Sequence, residues 1–373
     1  MNYDVAIAGG GIVGAACAYR LAAEGLSVAL VEKDFPASGV TSRGMGHIVA
    51  MDDSLPQLQL ASLSVDLWSR LSTDLPDNCE YENRGTLWIA CDDEDLGNAE
   101  ARRDGYERNG VSSRLLTPDE LYSLEPNLRS GLAGALLVPN DSVVYQPAAT
   151  EWFVKNAKGI AYYNEEITGH ENGSLKTSSG MTISCGLIVN ALGISAGLLS
   201  PNLRFVAKKG HLAVTNRYPG FVSHQLIELG YLKSAHGDSP ESIAFNVQPR
   251  NTGQIVIGSS RQVGIDDTSI DESLLASMLE CAIGYLPGLK DLEILRIWTG
   301  TRPSTPDNLP YIGKMSPDDD VIVAAGHEGL GITTATGTAE LVADIVLERE
   351  SRIDRNPFSP ARISNSIASK NQV

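Results

Sequence analysis

A glycine-rich segment at the start, Asp4-Val-Ala-Ile-Ala-Gly-Gly-Gly-Ile-Val-Gly-Ala, constrains the fold of this chain more than any other feature. The apolar run 5–8 predicts a buried parallel strand, and an apolar helix is predicted over residues 12–23. Gly9, Gly11 and Gly14 follow the strand with the spacing G-x-G-x-x-G. The sequence therefore predicts a βαβ unit that binds a dinucleotide.

Each glycine has a separate role in such a site. Gly9 allows a tight turn, Gly11 lets the backbone approach a pyrophosphate, and Gly14 lets the helix pack closely on its strand. The pyrophosphate would bind the free amides at the helix start, where Ile12 and Val13 stand. A glycine-rich turn also forms for packing reasons alone, and the motif does not by itself separate FAD from NAD.

An acidic residue closes the predicted unit. A second strand, predicted over residues 27–31, ends in Glu32, about 20 residues past the glycines, where a carboxylate accepts hydrogen bonds from ribose hydroxyls. The same carboxylate would repel a 2′-phosphate, so NADP is disfavoured. Lys33 follows directly and is assigned to the same site.

The loop Ser38-Gly-Val-Thr-Ser-Arg-Gly-Met-Gly-His-Ile contributes a second set of candidate residues. Its hydroxyls, its arginine and its free amides would wrap the dinucleotide. A histidine among glycines is also typical of a hydrogen-bonded structural residue. We assign these loop residues to the cofactor site: Thr41, Ser42, Arg43, Gly46 and His47.

Length and charge limit the possible domains and partners. A chain of 373 residues exceeds the usual limit of a single hydrophobic core, so two domains are expected. The formal net charge of −17 argues against nucleic acid or an anionic membrane as partner. An anionic substrate must therefore be attracted by a local cation.

The cysteines and histidines indicate no metal and no disulfide chemistry. The five cysteines are scattered without a C-x-x-C pair, which suits a reducing compartment, and the six histidines lack metal-ligand spacing. No signal peptide and no apolar stretch long enough to cross a bilayer is found. We therefore predict a cytoplasmic protein with no integral membrane segment.

The alternation of element types predicts an α+β fold. We expect a discontinuous Rossmann-like dinucleotide-binding domain interleaved with an antiparallel-sheet substrate domain. The polar tail is expected to be mobile or docked on a partner. The predicted bounds are 1–78, 142–212 and 296–352 for the nucleotide domain, 79–141 and 213–295 for the substrate domain, and 353–373 for the tail.

Five motifs in register give the chain a resemblance to the D-amino-acid-oxidase-like flavoproteins, a family with glycine oxidase, sarcosine oxidase and D-amino-acid or hydroxyproline dehydrogenases. They are the N-terminal fingerprint, Thr41-Ser-Arg-Gly-Met-Gly, Val189-Asn-Ala-Leu-Gly, Gly300-Thr-Arg-Pro-Ser-Thr-Pro-Asp-Asn-Leu-Pro and Ala325-Gly-His-Glu-Gly-Leu-Gly-Ile-Thr. The resemblance covers nearly the whole chain. It implies that FAD, rather than NAD, fills the N-terminal site.

The resemblance and the glycine spacing together predict the flavin end of the site. Backbone amides of a turn with Gly326, Gly329 and Gly331 would face the N1–C2=O edge of the flavin, which becomes anionic on reduction. An ordinary strand-to-helix turn is the alternative. The further residues assigned to FAD are Ala191, Gly193, Glu328, Leu330, Ile332 and Thr333.

The resemblance also implies a non-covalent flavin and a substrate site. Gly300 and Arg43 stand where some members of the family carry a tethering Cys or His. Arg302 would hold a substrate carboxylate with its planar fork, although backbone carbonyls or Asp307 would also satisfy it. Asn246 occupies a strand position where glycine-oxidase-like members carry a Tyr, and Tyr231 would supply the missing aromatic wall or lie in the core.

These residues predict an amino or imino acid oxidoreductase that transfers hydride from the substrate α-carbon to flavin N5. Similarity around Tyr231, Asp141 to Pro147 and Asn246 favours a D-hydroxyproline type of dehydrogenase with electron-accepting partner subunits. The alternatives are a glycine or sarcosine oxidase that releases peroxide and a non-catalytic flavin-bearing subunit of a larger complex. An NAD-dependent dehydrogenase leaves the C-terminal motifs unexplained, and a disulfide reductase needs a Cys pair.

Overall fold

The structure, a computed structural model, describes residues 2–230 and 239–363. Helices and strands alternate along the chain, and short 3-10 turns join several of them. The α-helices are Ile12–Ala23 (α1), Leu55–Leu71 (α2), Asp93–Arg108 (α3), Pro118–Leu124 (α4), Gln146–Asn156 (α5), Glu272–Tyr285 (α6) and Gly331–Val346 (α7).

The strands are divided between two large sheets and one small one. They are Asn2–Ala8 (β1), Val28–Glu32 (β2), His47–Ile48 (β3), Glu82–Asn83 (β4), Thr86–Ala90 (β5), Arg114–Leu116 (β6), Gly134–Val138 (β7), Ser142–Val143 (β8), Ala161–Asn164 (β9), Ile167–His170 (β10), Ser174–Thr177 (β11), Thr182–Asn190 (β12), Val206–Thr215 (β13), Gln225–Glu228 (β14), Glu241–Pro249 (β15), Ile255–Val263 (β16), Ile294–Ser304 (β17), Tyr311–Gly313 (β18) and Val321–Ala325 (β19).

The first sheet is the nucleotide-binding framework. Strands β9, β2, β1, β12 and β19 run parallel, because each crossover between them passes through a helix or an inserted segment. Helices α1 and α7 pack together on this sheet, and α2 packs on α7. A Cβ atom at Gly337 of α7 would lie 2.3 Å from Ser64 Oγ of α2, so only glycine permits this close crossing.

The second sheet has the order β17-β13-β16-β15-β14-β5-β7-β6. Helix α6 covers it, and Phe245 stacks on Tyr285 with ring centroids 4.1 Å apart. The expectation of an antiparallel sheet is wrong at one joint, since β14 runs parallel to β5. These strands come from separate insertions, so no hairpin imposes an antiparallel pairing on them.

Strands β13 and β17 extend across the predicted domain limits at residues 212 and 295. They pair with one another along their whole length, from Val206 opposite Ser304 to Thr215 opposite Ile294. Both strands therefore belong to the second sheet, with Gly210 in the middle of β13 and Arg302 near the carboxyl end of β17. The α+β fold class, with a discontinuous Rossmann-like domain, is confirmed.

The first part of the predicted tail packs on the chain itself. Phe358 is fully buried, and the guanidinium group of Arg362 binds both carboxylate oxygens of Asp307 at 2.8 and 2.9 Å. The expectation of a mobile or partner-docked tail is therefore wrong for residues 353–363, because an aromatic anchor and an ion pair fix them. Residues 364–373 lie outside the described part of the chain. No helix within residues 2–230 and 239–363 has the length and apolarity needed to cross a membrane.

Candidate active site

A cavity of about 500 Å³ lies between the carboxyl ends of the parallel strands and the second sheet. This is the position at which open α/β sheets bind their ligands. Most residues predicted from sequence line it together. They are Gly9, Gly11, Ile12, Val13, Glu32, Lys33, Thr41, Arg43, Gly46, His47, Ala191, Gly193, Asn246, Arg302, Gly326, Glu328, Gly329, Gly331 and Ile332.

Four other predicted residues do not line the cavity but pack within the elements that form it. A Cβ atom at Gly14 would lie 2.0 Å from the Gly9 carbonyl oxygen, so Gly14 serves helix–strand packing. Ser42 Oγ donates to the Gly39 carbonyl, and Thr333 Oγ1 donates to the His47 carbonyl at 2.9 Å. Leu330 packs against a hydrophobic cluster. The predicted aromatic wall, Tyr231, lies outside the described residues.

The glycines at the start of α1 leave room for a phosphate group. Gly9 has a φ of +105°, and a Cβ atom there would lie 2.6 Å from the Ala191 carbonyl oxygen. Gly11 caps α1 without a side chain, so the helix amides face the cavity. The Thr41 hydroxyl accepts a hydrogen bond from Ile12 N at 3.0 Å and fixes the loop against the helix start. These residues fit a pyrophosphate.

The Glu32 carboxylate is held in place at the end of β2. Its Oε2 atom accepts a hydrogen bond from Gly10 N at 2.8 Å, and Oε1 accepts one from Asp34 N at 3.1 Å. Each oxygen retains a lone pair for a further donor. A fixed acceptor at this edge of the cavity fits the ribose hydroxyls of a dinucleotide.

The turn after β19 brings backbone amides to the other end of the cavity. Gly326 has a φ of +84°, and a Cβ atom there would lie 2.5 Å from Thr305 Cγ2. The Glu328 carboxylate bonds the Gly329 amide and lies 3.9 Å from Lys208 Nζ. Burial lowers the pKa of Lys208, and Glu328 opposes that shift. The acidic residue in this turn is thus paired with a buried cation.

Both cavity-lining histidines are held as neutral rings. His327 is buried, its Nε2 atom lies 3.0 Å from Thr338 Oγ1, and burial lowers its pKa to about 4. His47 lies between the side chains of Gln225 and Asn246, and burial lowers its pKa as well. Their contacts agree with the structural interpretation of each histidine.

Arg302 lies at the end of β17 with its guanidinium group against the cavity. Among the described residues, its hydrogen-bond partner is the Ser260 carbonyl oxygen, 3.2 Å from Nη1. Asp307, the alternative partner, binds Arg362 instead. A Cβ atom at Gly210 would lie 2.7 Å from Arg302 Nη2, so this glycine makes room for the arginine fork.

Sequence reasoning missed Gly210 as a part of the site. A glycine inside a strand often marks the close approach of another group, and Gly210 interrupts the run Lys208-Lys209-Gly-His-Leu. A glycine at this strand position could therefore have been assigned to the site from the sequence. Met45 and Pro303 also line the cavity and lie within two of the motifs quoted above, although neither was assigned to the site. Ser259 lines it too, and no sequence pattern singles it out.

The fold and the cavity define a dinucleotide-binding protein, because a βαβ nucleotide site and a second glycine-rich turn line one cavity. The chain belongs to the family of FAD dependent oxidoreductases (DAO), which it matches over residues 4–345. The protein is therefore an enzyme with FAD as its cofactor.

Similar proteins cover the chain from end to end. Glycine oxidase of Geobacillus kaustophilus is 28% identical over 97% of both chains, and its crystal structure superposes with a TM-score of 0.85 over 97% of this chain and 99% of that one. Hydrogen cyanide synthase subunit HcnC of Pseudomonas protegens is 27% identical over 99% of this chain and 98% of its own. L-proline dehydrogenase of P. horikoshii is 25% identical, with a TM-score of 0.88 and 98% of each chain covered.

We expect the flavin to be released when the protein is precipitated by acid or heat. Among the described residues, the cavity lining contains no cysteine or tyrosine, and its two histidines are hydrogen-bonded. Gly300 faces Arg43, and a Cβ atom at Gly300 would lie 2.8 Å from the Arg43 Cβ atom. The absorption spectrum of the supernatant measures the release. Yellow colour that stays with the precipitate would contradict non-covalent binding.

Proposed function

We propose that this enzyme oxidises a small amino or imino acid whose carboxylate binds Arg302. The observation that carries the proposal is the position of that arginine, half-buried and against the cavity that fits the flavin. In a chain of net charge −17, a cation at this place is the local attraction that an anionic substrate needs. A planar guanidinium group also fixes a carboxylate in one orientation.

The chain's own residues orient and shield the reactants. FAD, when bound, supplies the acceptor for the two electrons of the oxidation. Arg302 holds the carboxylate and so directs the α-carbon toward the flavin position. The Gly329 and Leu330 amides already bond the Glu328 carboxylate and the His327 carbonyl, so the other backbone amides of the turn 326–331 would be the ones to stabilise negative charge at the edge of the cofactor. The substrate amine binds in its neutral form or becomes neutral in the site. No protein base is then required for the transfer of the hydride.

A D-configured cyclic imino acid, such as cis-4-hydroxy-D-proline, is our proposed substrate. Asn246, which lines the cavity, is shorter than the tyrosine that the family resemblance places at this position, and this difference favours a bulkier substrate than glycine. The similarity to a protein named L-proline dehydrogenase supports an imino acid. The similarity to HcnC, which is named as a synthase subunit, supports an assembly with partner subunits, and we propose that these accept the electrons.

Comparing dye reduction with peroxide release tests this proposal. The purified holoenzyme is mixed with D-hydroxyproline, D-proline, L-proline, glycine and sarcosine in turn. We expect rapid dye reduction with a D-imino acid and little peroxide. Fast peroxide release with glycine or sarcosine, without turnover of any imino acid, would show that the protein is a glycine or sarcosine oxidase instead. Turnover of L-proline alone would overturn the proposed stereochemistry.

A further inference from the structure

The Ser260 carbonyl oxygen, which accepts a hydrogen bond from Arg302 Nη1 at 3.2 Å, lies in an irregular part of the second sheet. The regular pairing of β13 with β16 is interrupted between Lys209 and Ala213. Irregularities of this kind redirect neighbouring groups and often lie beside active sites. A Cβ atom at Gly210, within the interruption, would lie 2.7 Å from the Ser260 oxygen and also 2.7 Å from Arg302 Nη2. The arginine and the carbonyl therefore meet where only glycine leaves room for them.

His211 holds this irregular segment through the side chain of Ser260. Its backbone N–H group donates to Ser260 Oγ at 2.9 Å, and its ring atom Nδ1 lies 2.9 Å from the same oxygen. On the other side of the ring, Nε2 accepts a hydrogen bond from Asp271 N at 2.9 Å. His211 and Ser260 are both buried, and neither is among the described residues that line the cavity. Their contacts thus reach the arginine through the Ser260 backbone.

The Asp271 amide determines which nitrogen of the ring carries the proton. A backbone N–H group only donates, so Nε2 is the acceptor and the neutral ring is protonated at Nδ1. Burial lowers the pKa of His211, and the charge of Lys209 lowers it further, so the ring is neutral. Nδ1 therefore donates to Ser260 Oγ. The Ser260 hydroxyl has two lone pairs, and the two donors of His211 occupy both.

We propose that His211 and Ser260 are positioning residues that hold the guanidinium group of Arg302 in the orientation that binds a carboxylate. A guanidinium group with one donor on a fixed carbonyl presents its remaining donors in one plane. A carboxylate then binds without first ordering the arginine, which raises its affinity. This inference rests on the proposed function, since it assumes a carboxylate at Arg302. It adds that the affinity depends on two buried side chains outside the cavity lining.

Binding of a carboxylate probe to the holoenzyme measures this effect. Pyrrole-2-carboxylate, a planar ring acid, is titrated into the protein, and the flavin absorption change gives its dissociation constant. Ser260→Ala keeps the backbone carbonyl but removes the oxygen that His211 binds. We expect the dissociation constant to rise about 5-fold or more, because the Arg302 fork is then no longer held in one orientation. An unchanged dissociation constant would overturn the proposal.

Thr215→Val is the matched control. Thr215 is fully buried at the other end of β13, and its Oγ1 atom accepts a hydrogen bond from Ile255 N of β16 at 3.1 Å. This variant therefore removes a side-chain bond between the same two strands, away from the described lining of the cavity. It should lower the stability of the protein and leave the affinity for the probe unchanged. If both variants weakened the probe equally, the effect would be a general loss of packing and the positioning role would be wrong.

Two variants at His211 test the contact of the ring by conservative rescue. His211→Asn places an amide N–H group near the position of Nδ1 and keeps a donor for Ser260, whereas His211→Leu has no donor. Both variants lose the acceptor for Asp271 N, so the pair isolates the bond to Ser260 Oγ. We expect the Asn variant to bind the probe about 3-fold tighter or more than the Leu variant. Equal affinities of the two variants would overturn the role of the ring.

A double-mutant cycle shows whether the effect passes through the arginine. Adding Ser260→Ala to an Arg302→Ala enzyme should weaken the probe no further, because the carbonyl then has no guanidinium group to hold. Additive losses would overturn the inference, while the carboxylate role of Arg302 would still stand. If the probe did not bind the wild-type enzyme, or bound Arg302→Ala equally well, the proposed function and the inference would fail together.

Discussion

Replacing Gly11 with valine will abolish FAD retention while the chain stays folded. The φ and ψ angles of Gly11, −67° and 175°, suit any residue, so valine introduces no backbone strain. Its Cβ atom would lie 3.3 Å from Thr41 Oγ1, and its methyl groups would enter the space in front of the helix amides. A pyrophosphate needs that space, so FAD affinity should fall by about 100-fold or more.

The flavin absorbance per protein after gel filtration measures this loss, and circular dichroism checks the fold. Gly97→Val is the matched control, because Gly97 lies in α3 and has no atom within 4 Å of its added Cβ position. This control should lose a little helix stability and keep FAD. A Gly11→Val protein that retained FAD at the wild-type ratio would show that the pyrophosphate does not bind at the N-terminal glycines.

Local patterns predicted the nucleotide-binding framework well. The bounds of α1 agree with the apolar helix predicted over residues 12–23, and β2 ends at Glu32 as expected. Helix α7 begins at Gly331, the last glycine of the turn that was predicted to face the flavin.

Contacts between distant segments could not be predicted in this way. The parallel joint of β5 with β14 and the passage of β13 and β17 across the domain limits depend on pairings that no local period encodes. The same contrast holds in the site. Glu32 and the glycines follow from a compact motif, whereas His47 and Asn246 stand 199 positions apart and meet only in the folded protein.

The second large effect will come from Arg302. Arg302→Lys keeps a charge but loses the planar fork, so the KM for an amino or imino acid should rise about 10-fold or more. Arg302→Ala should raise it further, by about 100-fold or more, since no cation then attracts the carboxylate and the Ser260 carbonyl loses its donor. FAD content should stay near normal, because the pyrophosphate and ribose contacts lie at the other end of the cavity.

Arg296→Lys provides the matched control for this prediction. Arg296 lies on the same strand, β17, is exposed, and contacts the Trp298 ring away from the cavity lining. The same exchange of arginine for lysine should leave KM unchanged there. Steady-state kinetics on the preferred substrate, together with titration of a carboxylate ligand, measure both variants. If Arg302→Lys and Arg302→Ala kept wild-type KM values, the carboxylate anchor would have to lie elsewhere, and the proposed orientation of the α-carbon would be lost with it.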